Sequence, residues 1–156
     1  MTPRAQGIIY HADLLINDLG LESPYDLGSR WGIFVTTAYS HIENSYRFMD
    51  EAYETSPKFI SPIFFPNAAL NSLSGWLSVA FNVTGPNSTI YSLAVANPAK
   101  ELAINALRSK TIDYALVIKT TEYTQLILEN IPVAENQDSF SESLELVILA
   151  APQSLA

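Results

Sequence analysis

The chain contains no cysteine. Its absence excludes disulfides, thiolate nucleophiles and zinc–thiolate centres. Basic residues are scarce as well: eight Lys and Arg stand against sixteen Asp and Glu, giving a net charge of −8 over 156 residues. A surface of that sign repels nucleic-acid phosphate and anionic lipid, so neither nucleic acid nor membrane is an expected partner. No apolar run approaches the ~20 residues needed to span a bilayer. The opening MTPRAQGIIYHADLL does not read as a secretory signal, because Asp13 interrupts its short apolar stretch. The expected location is the cytoplasm, and the triplets Asn82-Val83-Thr84 and Asn87-Ser88-Thr89 are then chance matches to a glycosylation acceptor. Charged residues make up only 15% of the chain while apolar residues reach 48%. So little charge covers a free-standing surface poorly, and the composition predicts that some apolar surface meets a partner.

What is present suffices for one domain over residues 1–156 with a sizeable core. No repeat or low-complexity tract divides it. Ile8, Ala12, Leu15, Ile16 and Leu19 recur at helical spacing, predicting a helix over residues 4–19 that Gly20 stops. WGIFVTT is apolar on both faces, as suits the middle of a covered sheet. Ser40 and Glu43 form a capping-box pattern before a helix with Ile42, Tyr46, Met49 and Tyr53 on one stripe. A proline-rich loop follows, then a helix predicted to be capped by Asn67, with Ala69, Leu73, Leu77 and Ala80 facing inward. GPNSTIYSLA reads as a strand. Asn97 and Pro98 open another helix, with Ala99, Leu102, Ala103, Ala106 and Leu107 as its apolar face. DYALVIKT and LELVILA are the last strands. The order α-β-α-α-β-α-β-β predicts an α/β fold: a mixed, mostly parallel sheet with helices on both faces.

Chemistry is sparse. There is no G-x-G-x-x-G, P-loop or H-x-x-E-H pattern, so no cofactor or metal is expected. His11 and His41 read as surface or cap residues, and Asp50, Glu51 and Glu54 as a solvated acidic face. Trp31 and Trp76 read as core or contact residues. Ser92 precedes a strand-to-helix turn of the kind that often carries a nucleophile, yet the turn itself offers only Ala94.

The segment SPIFFPNAALNSLSGWLSVAFNVTGPNSTI, residues 61–90, resembles the N-terminal half of the β-ketoacyl synthases of the thiolase superfamily. A P-x-x-x-x-N-x-x-x-G helix precedes a G-P-x-x-T strand, here Pro66, Asn71, Gly75, Gly85, Pro86 and Thr89. RWGIFVTTAYS resembles the family's second strand, which a Gly-rich turn usually follows. ALRSKTIDYALVIKTTE resembles the strand after the nucleophile, and ESLELVILA the last strand of the first half. The resemblance implies a truncated, thiolase-like half-core lacking the family's first strand, a central one. Its neighbours must then close on each other or receive a strand from another chain, since buried unpaired backbone groups are costly.

Counted from Gly85 and Pro86, the family's catalytic cysteine falls on Ala94, whose methyl cannot form a thioester. The family's two catalytic histidines belong to a C-terminal half that this sequence does not contain. The resemblance therefore implies a non-catalytic, chain-length-factor-like subunit of polyketide or fatty-acid-type biosynthesis. Its implied partner is a β-ketoacyl synthase, or a second copy of itself, with an acyl carrier protein engaged only through that partner. In the family the strand before the nucleophile pairs across a two-fold axis. That implies an interface at Asn71, Trp76, Asn87, Ser88, Thr89, Ile90, Tyr91, Ser92 and Leu93, with Phe64, Phe65 and Leu70 as tunnel-wall candidates. Two rival readings are a half-chain of a split ketosynthase, completed by a separate C-terminal half, and a self-associating scaffold or binding module.

Overall fold

A computed structural model describes residues 1–20, 25–39, 42–56, 58, 65–93, 96–124, 129 and 142–152. Its elements run α1 (Pro3–Asn17), β1 (Trp31–Ala38), α2 (Ile42–Glu54), α3 (Phe65–Ala68), α4 (Ser72–Phe81), β2 (Asn87–Tyr91), α5 (Pro98–Arg108), β3 (Tyr114–Thr121) and β4 (Ser143–Ala150).

Local signals account for most boundaries. The Thr2 hydroxyl accepts the Ala5 amide at 3.2 Å, and Pro3 occupies the first turn of α1, where its missing N–H costs nothing. Ala5, Ile8, Ala12 and Ile16 turn inward at helical spacing, and Gly20 follows with a left-handed φ of +67°. The Asn97 side chain accepts the Lys100 amide at 3.3 Å and starts α5, again with proline in the first turn. Asn67 does not cap the long helix. It lies inside the short helix α3, and α4 starts after Asn71, whose side chain makes no cap hydrogen bond. Leu102 also departs from expectation, standing outward from α5 while Ala99, Ala103 and Leu107 are buried.

The strands form one sheet in the order β2-β1-β3-β4. β1 pairs in parallel with β2 and with β3, and β3 pairs antiparallel with β4. All eight residues of β1 are buried, including Thr36 and Thr37, which matches a strand with apolar residues on both faces. Of the two expectations for the neighbours of the absent strand, closure is what occurs: β1 and β3 run together from Trp31 opposite Tyr114 to Ala38 opposite Thr121. Their backbone groups satisfy each other, and no strand from elsewhere fits between them.

Each sheet face has its own core. Ile33, Val35, Leu116 and Ile118 pack with Ile8, Ala12 and Ile16 of α1 and with Leu77 and Phe81 of α4. Phe34, Ala115 and Val117 pack with Ala99, Ala103 and Leu107 of α5. Placing α4 and α5 on opposite faces lets the chain reverse its direction of travel across the sheet while both crossovers keep the same hand. Burying each large aliphatic side chain contributes about 1.5–3 kcal/mol, so these two layers supply the main stabilisation. Trp31 joins the first core, stacked on Tyr114 at 4.8 Å. α2 behaves differently: none of its residues is buried, and the stripe of Ile42, Tyr46, Met49 and Tyr53 does not enter the core. Ser40 and His41 lie outside the described residues. Among the described residues, no helix is long and apolar enough to cross a membrane.

Candidate functional site

β2 forms one margin of the sheet. Its ladder to β1 runs from Ile33 opposite Asn87 to Thr37 opposite Tyr91. The Ser92 amide continues the contact by donating to the Thr37 carbonyl at 3.0 Å. The other side of β2 has no strand partner among the described residues. The expected interface residues separate into two groups here. Asn87 and Thr89 turn toward α4: the Asn87 amide donates to the Ser74 carbonyl at 3.0 Å and to Ser78 Oγ at 2.7 Å, and Thr89 Oγ1 lies 2.9 Å from the buried Ser74 hydroxyl. These residues fasten the helix to the strand. Tyr91 and Leu93 stand outward, at 42% and 62% exposure, while Ser88, Ile90 and Ser92 are half-buried. On α4, Asn71 is exposed, and half-buried Trp76 donates its indole N–H to Asn67 Oδ1 at 3.3 Å.

The carboxyl ends of β1 and β3 open on a small cavity of ≈ 40 Å³, walled by Val35, Thr37, Thr120, Leu70, Leu73 and Trp76. It has room for a few water molecules, not for an acyl chain. A wider groove of ≈ 520 Å³, bounded by Met1, Phe48 and Arg47, shares Thr2, Asn44 and Asn67 with it. Of the expected tunnel-wall residues, Leu70 lines the cavity. Phe65 stands outside it at 61% exposure, edge-on to Phe48 at 6.0 Å. Phe64 and Ala94 lie outside the described residues.

Two features near these strand ends escaped the sequence reading. Arg4 of α1 donates to Thr120 Oγ1 at 3.1 Å, to the Thr121 carbonyl at 2.9 Å and to Glu142 at 3.1 Å, pinning α1 across β3 and β4. Beside it, burial raises the Glu122 carboxyl above its ordinary range. Arg4 opposes that shift, and Glu142 and Glu43 reinforce it. The second feature is aromatic. Tyr39, Tyr91 and Tyr123 follow or close β1, β2 and β3, with Tyr39 6.1 Å from Tyr91 and 5.7 Å from Tyr123. Desolvation, and then the neighbouring Tyr39, push the Tyr91 hydroxyl above its usual pKa. Tyr39 has a φ of +65°, a left-handed conformation that an aromatic residue adopts only when its surroundings hold it there. This is the position where the resemblance implies a Gly-rich turn. The sequence signal was available, since TTAYS, TIYSL and TTEYT each place a tyrosine at the end of a β-prone run.

The remaining candidates stay apart from this region. His11 is exposed and edge-on to Tyr10 at 5.7 Å. Among the described residues, no group of three His, Cys, Asp or Glu could hold a metal ion. The geometry offers a sheet margin along β2, without a strand partner among the described residues, and a cleft at the carboxyl ends of β1 and β3, where open α/β sheets bind their ligands.

The profile of the β-ketoacyl synthase N-terminal domain matches residues 1–122. The chain belongs to this family. Solved ketosynthases share its fold. The ishigamide ketosynthase/chain length factor superposes with a TM-score of 0.65 at 18% identity, over 81% of this chain and 37% of that one. A ketosynthase in complex with its chain length factor from Xenorhabdus doucetiae gives 0.63 at 14% identity, over 88% and 54%. The ketosynthase from module 6 of the bacillaene synthase of Bacillus subtilis 168 gives 0.63 at 15%, over 99% and 25%. This β-ketoacyl synthase-like chain therefore spans between a quarter and about half the length of these structures. A search of curated proteins finds no match.

Proposed function

We propose that this chain is a non-catalytic ketosynthase-like subunit that docks on a β-ketoacyl synthase and shapes the acyl cleft of the assembly, in polyketide or fatty-acid-type biosynthesis. The observation that carries this reading is the open margin of β2. A strand with one side unpaired among the described residues is a ready template for another strand. In the family it is this strand that pairs across the two-fold axis, and Tyr91 and Leu93 lie exposed beside it. Ala94 supplies no nucleophile, so thioester chemistry would belong to the partner's cysteine. An acyl carrier protein, itself acidic, would engage the partner rather than this chain.

The split-enzyme reading is weaker on two counts. The nucleophile belongs to the half that carries Ala94. The α5 face of the sheet is also already covered by a helix whose outward residues are mostly polar, Glu101, Asn105 and Arg108 beside Leu102, a surface better suited to water than to a second packed layer.

Co-expression with a β-ketoacyl synthase, followed by mass measurement of the intact complex, tests the proposal. A stable complex containing both chains is expected, and Tyr91→Lys with Leu93→Lys should weaken it. Recovery only of self-assemblies, or acylation of the isolated chain, would refute it.

A further inference from the structure

We propose that the outward stripe of α2 is a second docking surface, and that its occupant is a basic, apolar face of a different protein. The stripe consists of Tyr46, Met49 and Tyr53, at 53%, 49% and 83% exposure, recurring at the spacing that aligns side chains along one side of a helix. The helix is held from another side. The Ser45 hydroxyl donates to the Ala68 carbonyl at 2.8 Å, and Phe48 meets Phe65 of α3. A helix of thirteen residues is marginal without packing, and this one carries an apolar stripe that stands exposed and outside the core formed by the described residues. Phe65, also exposed, extends the apolar surface toward α3.

Charge selects the occupant. α2 carries Glu43, Asp50, Glu51 and Glu54 against Arg47, which is itself paired with Glu43. Asp50 and Glu54 are exposed next to the stripe. A second copy of this chain would bring the same acidic flank and the same net charge of −8 into contact. An anionic membrane or a nucleic acid is repelled on the same ground. A protein face with apolar residues ringed by Lys or Arg satisfies both the stripe and its flank. The surface is distinct from the β2 margin and does not depend on the role proposed for it.

The test uses the full chain and two synthetic amphipathic helices of about five turns, one of Leu and Lys and one of Leu and Glu, with binding read by fluorescence anisotropy. The Leu/Lys peptide should bind at least about tenfold tighter than the Leu/Glu peptide and weaken as salt approaches about 1 M, where screening shortens to about 3 Å. Substituting Tyr46→Ser, Met49→Ser and Tyr53→Ser together should reduce binding about tenfold, one decade of affinity. The control pair Tyr10→Ser and Leu14→Ser, at exposed apolar positions of α1, should leave binding unchanged. Asp50→Lys with Glu54→Lys keeps the stripe and should shift the preference toward Leu/Glu. Circular dichroism confirms that each variant is folded. Equal affinity for the two peptides, or equal loss in the α1 control, would overturn the proposal. So would sedimentation showing that the stripe mediates self-association.

Discussion

The two glycines of the family motifs should respond in opposite ways to the same substitution, Gly→Ala. At Gly85 an added Cβ would sit 2.0 Å from the Trp31 carbonyl oxygen and 2.6 Å from that of Ser29. Both obstacles are backbone atoms at the entry to β1, where the Ile33 amide already donates to the Pro86 carbonyl at 2.9 Å. Ordinary contact lies near 3.5 Å, so one segment must move by more than about 1 Å. Overpacking of this kind costs about 1–3 kcal/mol, and the rigidity of the obstacle puts Gly85→Ala at or above the upper end. At Gly75, inside α4, an added Cβ meets nothing within 4 Å. Alanine there should stabilise by about 0.5–1 kcal/mol, because it restricts the unfolded chain and favours the helix. The separation is about 4 kcal/mol. For a chain of this size it corresponds to a melting temperature roughly 6–12 °C lower for Gly85→Ala and a few degrees higher for Gly75→Ala. Urea unfolding followed by tryptophan emission measures both, with buried Trp31 against Tyr114 as reporter. Shifts of the same sign, or a Gly85→Ala variant within about 0.5 kcal/mol of the parent, would refute the reasoning. If α4 also meets a partner closely at Gly75, the alanine variant will be the more stable chain and the poorer assembler.

Other outcomes follow from single contacts. The Glu122 carboxyl is held above its ordinary range, so the folded state binds a proton more readily than the unfolded state, and its ionisation lowers stability as pH rises through that window. Glu122→Gln should therefore be more stable than the parent at neutral pH, with the gain vanishing below about pH 4, as read by unfolding at several pH values. Asn97 Oδ1 accepts from the Thr36 hydroxyl at 2.8 Å as well as from Lys100, while its Nδ2 is buried with no partner among the described residues. Asn97→Ala should cost about 1–2 kcal/mol, as read by urea unfolding, because both the α5 cap and the Thr36 hydrogen bond are lost.

Legibility tracked how local each signal was. β1 declared itself by apolar residues on both faces, and the order of helices and strands followed from periodicity and caps. Asn97 with Pro98 fixed the start of α5 in a few residues. The misplaced cap at Asn67 shows the limit: asparagine fits several positions near a helix start, and the break between α3 and α4 depends on how Asn71 and Ser72 settle against their surroundings. The α2 stripe was legible as a pattern, but a pattern cannot say whether its apolar side faces the chain's own core. Direct pairing of β1 with β3 depends on strands distant in sequence, so the residues alone left closure and insertion both open. The tyrosine cluster and the Arg4 anchor are likewise long-range, and only the three-dimensional arrangement brings their members together.

The central place of β1 has a consequence for how the chain is made. Both of its ladders lead to segments that come later, the farther one joining Trp31 to Tyr114. At roughly 5–20 residues per second, a ribosome needs several seconds to deliver β3 after β1 has emerged. For that interval this strand, buried along its whole length in the finished fold, lacks its β3 ladder, although β2 can pair with it earlier. Slowed translation between the two strands should therefore lower the soluble yield more than the same slowing after β3.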